Sequence, residues 1–272
     1  MYLNNGRGPR DLNSNSLVHT NNIKRNTKNT NFYSKDDQNY SINYIYHLED
    51  VSVQFAKNKI LKSISFTINP QDKIFLIGPS GAGKTTFLKL LRGIVRPTEG
   101  RILRSSNSHN QSKISNSNYL CNPLNFASLI FQDFRLINDW SLEDNLWISY
   151  DPQIYKSKDE FNDDLINLSK LFTIKDKLDF KVSACNEGIK QKTAIIRSLL
   201  SKPQVILADE PTSALDNTNT ERLYEILTFY NEKNGITFVW ASHNKDLIKN
   251  FSGKIIQVDN GRLTYMGHSC FT

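Results

Sequence analysis

The chain has 272 residues, 38% of them apolar, and a formal net charge of +7, which suits one α/β domain with a tail. No apolar run approaches the roughly 20 residues needed to cross a bilayer, and the N-terminus lacks the apolar region of a secretory signal, so a cytoplasmic protein is expected. Residues 1–44 supply +3 of the charge and the remainder holds no basic run or basic–aromatic block, which argues against a nucleic-acid partner and for a mildly basic solvated surface.

Residues 1–44 are rich in Asn, Ser, Thr and Lys, with too few apolar side chains to offset the entropy of ordering, and read as a disordered tail. Residues 45–272 then form the folded domain. Val51, Val53 and Phe55 alternate, as do Ile64, Phe66 and Ile68, giving two half-buried strands. Lys73–Ile77 is a buried strand that runs into a glycine-rich loop and an apolar-periodic helix, Thr85–Ile94. Residues 105–125 are Ser/Asn-rich, the pattern of a surface excursion, and Ala127–Phe131 reads as another strand. From Ser141 to about Leu178 the pattern is helical, with Leu165, Leu168, Leu171 and Phe172 on one face, so a helical subdomain spans about 135–190. A helix over 188–200, a strand over 204–208, a helix over 218–233 ending near Gly235 and a strand over 236–241 follow. Asp259-Asn-Gly261 is a hairpin turn signal. Strands alternating with helices imply a largely parallel sheet covered on both faces. Cys121, Cys185 and Cys270 are widely spaced and indicate neither a disulfide framework nor a zinc site.

Gly78-Pro-Ser-Gly-Ala-Gly-Lys-Thr85 satisfies G-x-x-x-x-G-K-[ST] in full, between a predicted strand and helix, the context that motif requires. Glycines at 81 and 83 let the backbone curl and aim N–H groups at phosphate oxygens, and the helix adds the positive end of its dipole. Lys84 supplies a charge for the β/γ-phosphates, and Thr85 an oxygen for Mg²⁺. Downstream, Val205-Ile-Leu-Ala-Asp-Glu210 is an apolar strand ending in two acids, at the edge where open α/β sheets bind ligands. There Asp209 is placed to hold the metal and Glu210 to polarise water.

Asp209-Glu-Pro-Thr-Ser-Ala-Leu-Asp216 resembles the joined Walker B and D-loop segments of ABC ATPases. With Phe131-Gln132 and Ala241-Ser-His243, order and spacing are similar to that family from about residue 48 to 265. The resemblance implies a P-loop NTPase fold of the ABC kind: a RecA-like mixed or parallel core, an antiparallel β part and a helical subdomain. ATP and Mg²⁺ would be its ligands, with Gly78 to Thr86 (Gly78, Pro79, Ser80, Gly81, Ala82, Gly83, Lys84, Thr85, Thr86) around the nucleotide. Thr85, Gln132 and Asp209 would attend the metal, and Glu210, Gln132 and His243 the hydrolysis. Phe55 stands where the family places an adenine-stacking aromatic, a position a core aromatic would suit equally. Gly188, in the segment that the family sends across a head-to-tail homodimer formed on ATP, and Asp216 would also bind nucleotide.

Within the family, Ile130-Phe-Gln-Asp-Phe-Arg-Leu136, Gly78–Thr86 and Arg96-Pro-Thr-Glu-Gly100 resemble the FtsE group, ATP-binding subunits of bacterial FtsE–FtsX cell-division complexes, and its lipoprotein-releasing and exporter relatives. This implies a peripheral protein on the inner face of the plasma membrane, driving a separate integral, FtsX-like subunit that docks around Phe134–Trp147, with Trp140 and Trp147 as anchors or as core. A transporter ATPase is the alternative, and so is a near-inactive ATP-dependent assembly switch.

One segment departs from the pattern. Where the family carries L-S-G-G-[QE], this chain reads Cys185-Asn-Glu-Gly-Ile189, and Ser183 could replace the serine only through a shifted register. Asn186 can still donate a hydrogen bond. Glu187, by contrast, would bring a carboxylate near a phosphate, a repulsion on the order of several kcal/mol at low dielectric. Slow hydrolysis is the expected consequence.

Overall fold

A computed structural model describes residues 44–104, 126–244, 248 and 250–269. The Asn-rich tail, apart from Tyr44, the 105–125 excursion, Cys121 and Cys270 lie outside the described residues.

The chain builds two sheets. Strands β1 (Tyr46–Phe55), β2 (Asn58–Ile68) and β4 (Glu99–Arg104) form an antiparallel sheet in the order β2-β1-β4. Strands β3 (Lys73–Ile77), β5 (Ala127–Ile130), β6 (Val205–Asp209), β7 (Thr237–Ser242), β8 (Gly253–Asp259) and β9 (Arg262–Ser269) form a second, in the order β5-β6-β7-β3-β8-β9. All its neighbours are parallel except the β8–β9 hairpin. That hairpin turns at Asn260 and Gly261, with φ of 46° and 78°, the double positive φ that Asn-Gly accepts.

Side-chain alternation explains why these short apolar runs are strands buried on both faces. Phe75, Ile77, Ile206, Ala208, Phe238 and Trp240 join one core cluster with the helices α3 (Lys158–Leu171), α4 (Glu187–Leu200) and α5 (Asn217–Asn234). Their neighbours Ile74, Leu76, Val205, Leu207, Val239 and Ala241 join the other, with the antiparallel sheet and α1 (Lys84–Arg92). The mixed core, antiparallel part and helical part are those the resemblance implied.

The helical stretch is interrupted where one pattern suggested continuity. The short α2 (Leu142–Trp147) starts on a capping box between Ser141 and Asp144. The chain then turns at Asp151-Pro152, where the Asp151 carboxylate accepts from the Gln153 N–H at 2.8 Å and proline has no N–H for a helix to use. Leu165, Leu168 and Phe172 are buried, whereas Leu171 is 38% exposed, because it falls about a third of a turn off their line. The two tryptophans divide: Trp140 is 45% exposed, while the Trp147 ring lies 4.8 Å from that of Phe161 in an aromatic cluster with Tyr150 and Tyr155.

Candidate functional site

The parallel registers bring the C-terminal ends of four strands to one edge. Ile77 pairs with Ser242, Asp209 with Ala241 and Ile130 with Ala208. The residues that leave these ends are therefore neighbours: the 78–83 loop, His243, Glu210 and Gln132.

The loop is shaped by glycine. Gly78 has φ 155°, and a Cβ there would lie 2.2 Å from the Val258 carbonyl oxygen, so only hydrogen fits. Gly81 and Gly83 also have positive φ, and Gly83 serves as the N-cap of α1. Pro79, Ser80, Gly81 and Thr85 are exposed, whereas Ala82 and Lys84 are buried, and Thr86 is intermediate. The β9 hairpin braces the loop through the Gly261 N–H to the Ala82 carbonyl at 3.2 Å. The Lys84 ammonium, 7% exposed, donates to the carbonyls of Gly78 at 2.7 Å and Pro79 at 3.1 Å.

Opposite the loop, the Thr85 hydroxyl lies near enough to the Asp209 carboxylate to favour its ionised form. Burial pushes the Asp209 carboxyl above its ordinary range and the charge of Glu210 adds to this, while the Thr85 hydroxyl and the Lys84 charge pull it back. A hydroxyl and a buried carboxylate are the oxygen donors a hard divalent cation takes, and the residues present fit Mg²⁺.

Glu210 follows at φ 51°, a left-handed conformation that costs a non-glycine residue roughly 1–2 kcal/mol and that clusters at functional sites. Its N–H donates to the Ala241 carbonyl at 3.0 Å, and its carboxylate, 12% exposed, meets His243 Nδ1 at 2.9 Å. The His243 side chain is 67% exposed, free to face a ligand at the sheet edge. Gln132 is exposed immediately beyond β5. Phe55 ends β1 at 50% exposure, which removes the core alternative and leaves its ring open to stacking.

Gly188 and Asp216 belong to a second group, at the starts of α4 and α5. Asn186 is the N-cap of α4, its Oδ1 accepting from the Ile189 N–H at 3.0 Å, the place a signature serine would cap equally well. No register shift is needed: Ser183 lies in a 3₁₀ turn, Val182–Ala184, ahead of the cap. The Glu187 carboxylate is paired with Lys190 at 3.0 Å, which tempers the repulsion expected of it. Gly188 lies against the Ala214 carbonyl, 3.3 Å from where a Cβ would be. The Asp216 carboxylate caps α5, taking the N–H of Asn219 at 2.7 Å and its side-chain amide as well.

Two residues escaped the sequence reading. Gln191 is 1% exposed and bridges the Glu210 carbonyl and the Ala214 N–H. Arg197 donates at 2.7 Å to each of the carbonyls of Phe134 and Arg135, two successive left-handed residues just after Gln132. A legible signal existed for Gln191: it shares the buried stripe of α4 with Ala194, Ile195 and Ser198, where an amide needs partners.

A family model described as ABC transporter matches residues 61–213. The lipoprotein-releasing system ATP-binding protein LolD of Buchnera aphidicola is 34% identical over 212 residues, covering 75% of this chain and 88% of that protein. The methionine import ATP-binding protein MetN of Lactobacillus johnsonii is 31% identical over 224 residues, 81% of this chain and 63% of that protein, so the chain spans under two thirds of that relative. A bacterial ABC transporter cassette solved as a dimer superposes with a TM-score of 0.67 at 25% identity, covering 80% of this chain and 96% of that one. With the phosphate loop, the two strand-end acids and these likenesses together, the chain belongs to the ABC transporter family, as one of its ATPase cassettes.

Proposed function

We propose that this protein closes on Mg-ATP as a head-to-tail homodimer and uses hydrolysis to move a separate integral membrane subunit. The observation that carries this is the nearness of Thr85 and Asp209 beside buried Lys84, next to the Glu210–His243 pair. In this reading the Gly78–Thr86 backbone and Lys84 enclose the phosphates, and Phe55 supports the adenine. Thr85, Asp209 and Gln132 would hold Mg²⁺, which when bound would offset negative charge on the phosphate oxygens. Glu210 accepts a hydrogen bond from the attacking water and aligns it, while His243 fixes the Glu210 carboxylate and faces the γ-phosphate. Gly188, Asn186 and Asp216 serve the nucleotide of the second copy. Turnover is slow, because Glu187 and Ile189 replace the glycine and the polar residue of the signature.

Among the described residues no helix is long and apolar enough to cross a membrane, which supports a peripheral position on the inner face of the plasma membrane, held by the partner. The partner docks around Phe134–Trp147, where Ile137, Trp140 and Ile148 are exposed. The heptapeptide Ile130–Leu136 favours an FtsX-like subunit and a role in cell division, without solute transport. A second reading, release of lipoproteins, is favoured by the 34% identity to LolD across most of its length. Purification from membranes with the bound integral subunit decides between them: an FtsX-like protein supports division, and a lipoprotein-release permease refutes it. On that complex, ATPase rates that do not differ between the parent and Glu210→Gln would defeat the hydrolysis assignment.

A further inference from the structure

Gln191 lies on the first turns of α4, five residues past the cap Asn186, and touches no part of the phosphate loop's hydrogen-bond set. Its amide is nonetheless placed with directional demands. Nε2 donates to the Glu210 carbonyl at 3.3 Å, and Oε1 accepts from the Ala214 N–H at 3.1 Å. A carbonyl requires a donor and an N–H an acceptor, so one orientation of the amide satisfies both and the flipped one satisfies neither. At 1% exposure, water does not stand in for either bond.

The residue it grips is the strained one. Glu210 sits at φ 51° with its N–H on Ala241 and its carbonyl shared between the Ser213 N–H at 3.2 Å and Gln191. A left-handed glutamate persists only where its surroundings over-determine it. In that conformation its carboxylate reaches His243 at the edge of the sheet. Rotation of the 210 peptide towards ordinary helical or extended values would carry the carboxylate away from there.

We infer that Gln191 is a positioning residue for hydrolysis, holding Glu210 in its left-handed conformation and tying it to α4. Because α4 begins with the Cys185–Ile189 segment and Gly188 rests on Ala214, a shift of that segment reaches Glu210 through one buried side chain. Binding of ATP, which depends on the loop and Lys84, does not draw on this contact.

The test rests on the hydrolysis reading above and separates binding from chemistry. Gln191→Met removes both hydrogen bonds at similar volume, and Gln191→Glu keeps the acceptor for Ala214 while turning an oxygen towards the Glu210 carbonyl. Single-turnover hydrolysis with protein in excess over ATP resolves slow rates, and calorimetry with Mg-ATP gives the Kd. The expected result is a rate lowered at least about tenfold in each variant, with Kd within about twofold of the parent. A rate within about twofold of the parent in either folded variant overturns the inference. So does a rate that falls only in step with ATP affinity and thermal stability, since that is the signature of a packing role. Should Gln191→Met not fold, Gln191→Glu carries the same comparison. A parent chain that hydrolyses no ATP would overturn both this inference and the reading beneath it.

Discussion

Replacing Lys84 by alanine isolates the electrostatic part of nucleotide binding. The ammonium is 7% exposed, held by the Gly78 and Pro79 carbonyls, and no carboxylate among the described residues pairs with it. Its charge is therefore available to an anion seated on the loop. Two opposite unit charges about 4 Å apart gain roughly 4 kcal/mol at an effective dielectric near 20. Releasing one carbonyl bond to reach a phosphate costs about 1 kcal/mol. The net, about 3 kcal/mol, corresponds to roughly a hundredfold in Kd. Titration of the full chain with Mg-ATP in a calorimeter, with thermal unfolding run alongside, should show that weakening with little change in stability, because the carbonyl of exposed Pro79 can turn to water. A Kd within about threefold of the parent, in a protein that unfolds at the same temperature, would refute the whole assignment of the loop.

Three further outcomes follow from other parts of the molecule. Gly261→Ala would place a methyl 2.1 Å from the Ile60 carbonyl oxygen at φ 78°, against the rigid backbone of β2, and should cost roughly 2–4 kcal/mol in a urea titration; an unchanged midpoint contradicts the packing of the hairpin on β2. The Glu49 carboxyl is held below its ordinary value of 4.5 by the hydrogen bond from Arg101, which outweighs the opposing effect of burial, with lesser help from the charges of Arg101 and His47. A depressed folded pKa contributes stability above the unfolded value and loses it as pH falls through the folded one. Glu49→Gln should therefore cost under about 1 kcal/mol at pH 7, the scale of a part-exposed pair, and the difference should fade as pH drops below about 4.5; a difference independent of pH would rule this out. The double substitution Asn186→Ser with Glu187→Gly keeps a capping side chain on α4 and removes the carboxylate, and should raise steady-state ATP turnover by about fivefold or more. Unaltered turnover would place the brake elsewhere.

The sheet edge is largely readable in the sequence. Lys73–Ile77 and Val205–Asp209 are apolar runs of strand length that end in residues of known chemistry, and a fully matched phosphate motif between a strand and a helix leaves few alternatives. Helices α4 and α5 were legible for similar local reasons, since an Asn or Asp cap and a closing Gly235 mark their ends. The break after Trp147 was harder to see, because apolar spacing on both sides of Asp151-Pro152 suited a helix and only the proline argued otherwise. Phe55 could not be assigned between core and surface from alternation alone, and Trp140 and Trp147 parted company for the same reason: exposure depends on what the rest of the chain lays over a residue.

What the amino-acid order determined by itself was chemistry carried within single segments: a loop of glycines with a lysine and a threonine, and an apolar strand tipped with two acids. The assembly of these into one site needed the tertiary structure, because the order β5-β6-β7-β3 is what sets Gln132, Glu210, His243 and the loop side by side from four places in the chain. The same is true of the supports. A glutamine on α4 and an arginine two turns on act on Glu210 and on the turn after Gln132 only because α4 lies across both, and hydrogen bonds between residues 19 and 62 positions apart leave no periodic trace for sequence to display.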